Sequence, residues 1–112
     1  MRESQIENSN REYAKKLNLL FEKFTSPNRR SVPDRIVSPG GGSLWFPIYF
    51  IEYKATGKDA TTLQKKDHER RRKGGTVVFV VDDIQEGERI LAWMVNHRHI
   101  TPDGYDSMGR RL

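Results

Sequence analysis

The sequence has 112 residues, enough for one domain with a modest core, and 31% of them are charged. Its net charge of +5 favours a polyanionic partner, nucleic acid before a membrane surface. Disulfides and thiolate metal sites are excluded because there is no cysteine. No apolar run has membrane-spanning length, and the first residues lack the apolar core of a signal peptide. We therefore expect a cytoplasmic protein without a membrane partner.

The first half of the chain predicts a helix followed by two strands. Apolar residues recur at helical spacing over residues 3–21, and Asn18 and the loop 25–33 end this helix. A short strand is predicted at 35–37, where proline and three glycines follow closely. The aromatic and β-branched run 44–53 predicts a second strand, and Pro47 near its start indicates an edge or a bulge.

The second half of the chain predicts a helix, a strand and a helix. Thr61 or Thr62 begins a helix that Gly74-Gly75 ends near residue 73. The apolar run 76–81 is typical of a strand buried on both faces, and a last helix is predicted over about 85–96. The predicted class is α/β, in the order α-β-β-α-β-α, with a mixed sheet flanked by helices. Residues 1–96 then form one domain, and 97–112 form a loose tail.

Two carboxylates and a lysine fall at the ends of the two predicted strands of the first half. Glu52 and Lys54 share a face of their strand because side chains alternate, and a hairpin would bring Asp34 beside them. Carboxylate oxygens suit Mg²⁺ or Mn²⁺, and a lysine can hold a water or offset charge on a phosphoryl oxygen. Either element alone is more often a solvated strand edge or an ordinary turn. Their combination favours an active site.

The strings around these residues resemble the VRR-NUC family of the PD-(D/E)xK nuclease superfamily, in its stand-alone, virus-type form. The resemblance covers about residues 3–82. It rests on five strings in the same order: Lys-Phe-Thr-Ser-Pro at 23–27, Ser-Val-Pro-Asp-Arg-Ile-Val at 31–37, Phe-Ile-Glu-Tyr-Lys-Ala at 50–55, Leu-Gln at 63–64 and Gly-Thr-Val-Val-Phe-Val-Val at 75–81.

This resemblance implies a restriction-endonuclease-like domain that cleaves DNA with Mg²⁺ or Mn²⁺. Stand-alone members of this family are similar to Holliday-junction resolvases, so the resemblance also implies branched or junction DNA as the substrate and a homodimer. By position, Asp34 and Glu52 would bind the metal together with the backbone carbonyl of Tyr53. Lys54 would orient or activate the water, and Gln64 would lie beside the site.

Such sites are usually completed by a glutamate from the first helix, and this helix offers three. Glu12 falls opposite the apolar stripe, so we expect it to face solvent. Glu3 lies within the apolar face and Glu7 on its border. The eleven residues from Glu7 to Asn18 resemble the spacing in related resolvases. This favours Glu7 as a catalytic and metal-binding residue, with Glu3 as the alternative.

Basic residues on both sides of the predicted site would bind DNA phosphates without reading bases. Lys23, Arg29 and Arg30 flank the site, and there we favour substrate contact, although Lys23 could instead be a cation of the catalytic shell. Lys65 and Lys66 fit substrate contact and a solvated helix face equally well.

Two other functions fit the same sequence. One is a flap, duplex-repair or restriction-like nuclease, and the other is a non-catalytic basic DNA-binding module that needs no metal. His68 is expected to be a surface residue of the middle helix rather than a ligand or a proton shuttle.

Overall fold

The computed structural model describes residues 1–25, 32–39, 48–96 and 101–112. Within these ranges the chain forms three helices and four strands. Their bounds are α1 (Glu3–Lys16), β1 (Leu19–Lys23), β2 (Arg35–Pro39), β3 (Tyr49–Tyr53), α2 (Thr62–Lys73), β4 (Val77–Val81) and α3 (Ile84–Asn96). The α/β class is confirmed, and the order is α-β-β-β-α-β-α.

The strand β1 is absent from the predicted order, because the helical spacing in the sequence predicts a first helix that runs to residue 21. The helix instead ends at Lys16, and Asn18 adopts a left-handed conformation with φ 58° that redirects the chain. Leu19 then begins β1, which pairs antiparallel with β2. Leu20 and Phe21 extend the helical spacing in the sequence, yet here they project to opposite faces of a strand.

The sheet is mixed, as predicted, in the order β1-β2-β3-β4. The pairs β1–β2 and β2–β3 are antiparallel, whereas β3 and β4 are parallel and α2 makes the crossover between them. The helices α1 and α3 pack on one face of the sheet, where the Tyr53 hydroxyl donates to Asn10 of α1 at 2.9 Å and Tyr49 meets Trp93 of α3 edge-on. The helix α2 covers part of the opposite face.

The helices α1 and α3 cross at close range around a buried asparagine. Asn10 is fully buried, and its side-chain amide donates to the carbonyl of Ile84 at 3.2 Å. A Cβ atom on Gly87 would lie 1.7 Å from the Asn10 side-chain oxygen, so only glycine permits this approach. Through Asn10, the helix that begins at Glu3 is held against both β3 and α3.

The C-terminal segment 101–112 packs against the domain, which differs from the loose tail that the sequence predicts; 97–100 lie outside the described residues. Tyr105 is buried and meets Phe79 of β4 edge-on, with ring centroids 5.2 Å apart. The amide of Val78 donates to the carbonyl of Met108 at 3.1 Å, so the segment covers the outer edge of β4. Gly109, with φ +91°, passes so close that a Cβ would lie 2.5 Å from the Val78 carbonyl oxygen.

Candidate active site

The pairing of β2 with β3 sets Asp34 across from Glu52. Arg35 pairs with Ile51 in this register, so the positions one residue further out face each other. The two carboxyl groups share a hydrogen bond. The backbone amide of Tyr53 donates to Oδ2 of Asp34 at 2.7 Å, which ties the head of β2 to the end of β3.

A third carboxylate reaches this pair from the first turn of α1. Glu3, Asp34 and Glu52 each offer an oxygen, and these oxygens lie within 4.8 Å of one another. The start of α1 is fixed beyond the end of β3, because the amide of Thr56 donates to the carbonyl of Met1 at 3.0 Å. We call Glu3, Asp34 and Glu52 the acidic cluster.

Glu7 lies one turn after Glu3 and has a different partner. Its Oε2 accepts from Nε of Arg35 at 2.6 Å, and both side chains are largely buried. Arg35 also donates to the carbonyl of Phe21 at 3.3 Å and lies over the Phe21 ring. The Glu7–Arg35 pair therefore joins α1 to β1 and β2. Of the two glutamates left open by the sequence, the geometry favours Glu3 for the acidic cluster.

The acidic cluster carries negative charge that the protein does not fully compensate. Burial, then the hydrogen bond and charge of Glu52, raises the pKa of Asp34 to about 7. Burial also raises the pKa values of Glu52 and Glu3, while the nearby charge of Lys54 acts on both in the opposite direction. A divalent cation would relieve this repulsion, and three carboxylate oxygens are ligands that Mg²⁺ and Mn²⁺ accept. The residues present fit such an ion.

Gln64 lies at the start of α2 in a capping box. Its side-chain oxygen accepts from the amide of Thr61 at 2.9 Å, and the Thr61 hydroxyl accepts from the amide of Gln64 at 3.2 Å. Thr61, rather than Thr62, is thus the N-cap. These bonds fix the first residue of α2 and occupy the side-chain oxygen of Gln64.

The basic residues predicted to bind DNA are not gathered at one place. Lys65 pairs with Asp59 at 2.9 Å on the surface, and Lys66 is exposed. Lys23 is exposed at the end of β1, and by side-chain alternation it projects to the sheet face opposite Asp34 and Glu52. Arg29 and Arg30 lie outside the described residues.

His68 contacts the acidic cluster, and its prediction as a surface residue is wrong. Its Nε2 lies 3.3 Å from Oε1 of Glu52, with 1% of the histidine side chain and 2% of the glutamate side chain exposed. Burial, then the charge of Arg72, lowers the pKa of His68 to about 4, so the ring is neutral at pH 7. The sequence offered one signal, namely that His68 lies one helical turn after Gln64.

Comparisons with known proteins agree with this fold. No family model matches the chain. It is 38% identical over 82 residues to "Putative nuclease p44" of Acyrthosiphon pisum secondary endosymbiont phage 1, covering 73% of this chain and 84% of that protein. It is also similar to a solved structure described as a VRR_NUC domain, with a TM-score of 0.69, 27% identity and coverage of 80% of this chain and 94% of that one.

The fold and these relatives define a small α/β nuclease. The chain belongs to the VRR-NUC family, which confirms the resemblance of its sequence motifs. No helix in the described ranges is long and apolar enough to cross a membrane.

Proposed function

We propose that this nuclease is a divalent-metal-dependent DNA endonuclease that hydrolyses phosphodiester bonds in branched DNA, in the manner of a Holliday-junction resolvase. The observation that carries the proposal is the acidic cluster, in which three carboxylates converge from α1, β2 and β3. Hydrogen bonding within the fold does not by itself explain why these three acids lie together, because the pKa of each one is raised. Such a cluster is the arrangement expected of a metal site.

In this proposal Asp34, Glu52 and Glu3 would hold Mg²⁺ or Mn²⁺, and the backbone carbonyl of Tyr53 would be a further ligand. When bound, the ion supplies Lewis acidity, which lowers the pKa of water and offsets charge on the phosphoryl oxygens. The Tyr53 amide keeps Asp34 oriented towards the cluster through its 2.7 Å hydrogen bond.

Lys54 follows Glu52 by two residues and so shares its face of the chain. Its charge acts on Glu3 and Glu52, which supports a role for the ammonium group at the acidic cluster. There it can donate hydrogen bonds to the attacking water or to a non-bridging phosphate oxygen. Gln64, fixed at the start of α2, is proposed to assist on the same side.

The substrate is proposed to bind with one phosphate at the cluster and its flanking phosphates on exposed basic residues, of which Lys23 lies on the opposite face of the sheet. The net charge of +5 supports a polyanion, and exposed Lys23 and Lys66 are suited to phosphate contact. Lys65 would exchange its partner Asp59 for phosphate, and Arg29 and Arg30 are proposed as further contacts. The protein would act in the cytoplasm, which is that of the host if the gene is viral.

A homodimer is part of the proposal because symmetric cleavage of a junction requires two active sites. Leu20 and Ile48 support it, since both are large apolar residues about half exposed. Both flank β2 on the sheet face opposite α1, where they are suited to a contact between copies.

Cleavage of a substrate panel tests the proposal. Four-way junction, flap and plain duplex DNA are each incubated with Mg²⁺, with Mn²⁺ and with EDTA, and solution mass is measured in parallel. We expect paired symmetric cuts in the junction, none in EDTA, and a mass of twice 13.1 kDa. Asp34→Ala and Lys54→Ala should abolish cleavage while leaving the protein folded.

Each part of the proposal has its own contrary outcome. Metal-dependent cleavage by Asp34→Ala would remove the acidic cluster from the chemistry. Preference for flaps or duplex would favour the repair or restriction-like alternative. Tight, salt-dependent DNA binding without cleavage under any metal would favour the non-catalytic module.

A further inference from the structure

The contact between His68 and Glu52 joins two elements that the sequence separates by sixteen residues. Glu52 lies in β3, and His68 lies in the middle of α2 on the face turned to the sheet. Both side chains are sealed from solvent, at 2% and 1% exposure, so water cannot solvate this side of the glutamate. A buried carboxylate oxygen needs a donor.

The imidazole ring is the donor in this pair. The ionised carboxylate of Glu52 can only accept hydrogen bonds. An imidazole ring carries at least one N–H whether it is neutral or charged, so it can supply the donor. The 3.3 Å approach of Nε2 to Oε1 places that N–H on Nε2.

We propose that His68 is a positioning residue, whose Nε2–H holds Oε1 of Glu52 so that the second carboxylate oxygen is available to a divalent cation shared with Asp34 and Glu3. The inference rests on the metal site in the proposed function and adds a residue to it. A cation can occupy only part of the lone-pair capacity of Glu52, and His68 donates to the oxygen on the side that is closed to solvent. Hydrogen bonds of this kind orient ligating carboxylates and increase metal affinity.

A purely structural role is the rival explanation, since the same bond also holds α2 against β3. The two roles differ in one measurable respect. A structural bond changes the free energy of unfolding, whereas a positioning bond also changes metal affinity in protein that remains folded.

The test compares two substitutions at position 68 by calorimetric titration of Mn²⁺ into the full chain without DNA. His68→Phe keeps a ring, and so fills the space beside the 550 Å³ cavity that His68 lines, but it has no donor. His68→Gln retains an N–H at a similar distance from the backbone. We expect His68→Phe to weaken Mn²⁺ binding by about 10- to 100-fold. His68→Gln should remain within about threefold of the wild type, because it restores the donor.

Val78→Ala is the matched control. Val78 is fully buried in β4, and its side chain is not part of the acidic cluster, so the substitution lowers stability without removing a donor. We expect its Mn²⁺ affinity to equal that of the wild type. Equal loss of affinity in Val78→Ala and His68→Phe would overturn the inference, as would wild-type affinity in His68→Phe.

A measurement on the unmodified protein decides the matter if His68→Phe does not fold. Nitrogen-15 NMR of the metal-free protein should show the His68 ring protonated at Nε2 and not at Nδ1, with a resonance that moves on addition of Mg²⁺. The opposite tautomer would overturn the inference. Failure of the wild type to bind Mn²⁺ at all would instead overturn the proposed metal site, and the inference with it.

Discussion

Replacing Asp34 with asparagine should make the metal-free protein more stable at pH 8 and leave it little changed at pH 4. Asparagine has the shape of aspartate and keeps an acceptor for the Tyr53 amide, but it cannot ionise. In the wild type, the pKa of Asp34 is raised because burial and Glu52 disfavour its charge. The folded state therefore resists ionisation of a group that ionises freely when the chain unfolds.

The sign and size of the effect follow from the two pKa values. A raised pKa gives stability that is complete below the unfolded value of 3.8 and is lost as the pH rises to about 7. At about 1.4 kcal/mol per pKa unit, this difference corresponds to about 4 kcal/mol. Asp34 is only partly buried, and solvent screening reduces the figure to about 2 kcal/mol. Most of the loss falls between pH 4 and pH 7.

Urea unfolding in EDTA measures this effect at pH 4, 5, 6, 7 and 8. The difference in unfolding free energy between Asp34→Asn and the wild type should grow by about 2 kcal/mol over this range. Saturating Mg²⁺ at pH 8 should then stabilise the wild type and have much less effect on Asp34→Asn. Parallel pH profiles for the two proteins would refute the reasoning, because they would show that burial and Glu52 do not disfavour ionisation of Asp34 in the folded state.

Three further predictions concern single positions. Glu3→Gln should weaken Mn²⁺ binding at least about tenfold in a calorimetric titration. Glu7→Gln should leave Mn²⁺ affinity within about threefold of the wild type, but it should lower the free energy of unfolding in urea by about 2 kcal/mol, because Arg35 loses its carboxylate partner. The reverse pattern would make Glu7 the ligand. Lys54→Met should retain Mn²⁺ binding but slow single-turnover cleavage at least about 100-fold, and unchanged cleavage would remove Lys54 from the chemistry. Gly109→Ala should lower the free energy of unfolding by about 2 kcal/mol in a thermal melt, because the positive φ of Gly109 and the nearby Val78 carbonyl exclude a side chain. An unchanged melting temperature would mean that the C-terminal segment does not hold the edge of β4.

The first half of the fold shows where sequence periodicity succeeds and where it fails. Helical spacing identifies α1, but it continues by coincidence through Leu20 and Phe21, which belong to β1. The left-handed conformation of Asn18 separates the two elements. Only pairing with β2 decides that the next five residues form a strand, and pairing between distant segments is not encoded in local spacing.

The burial of His68 is not predictable from the residues of α2. Its buried residues are Asp67, His68 and Arg72, so the face turned to the sheet is polar and leaves no apolar stripe to recognise. By contrast, the proximity of Asp34 and Glu52 could be predicted, because strand pairing sets the two positions across from each other. The choice between Glu3 and Glu7 depends on which turn of α1 lies beyond the end of the sheet, a distance that the sequence does not contain.

The acidic cluster draws its three members from segments separated by 31 and 18 residues in the chain. A folding intermediate with only the β2–β3 pair would hold two of the three carboxylates, and docking of α1 would add the third. Under the proposed metal site, cation binding would report the docking of α1 beside the β2–β3 pair. During synthesis the chain would then have no competent nuclease centre until α1 had packed beside β3, a strand made later, so cleavage would be coupled to that docking step.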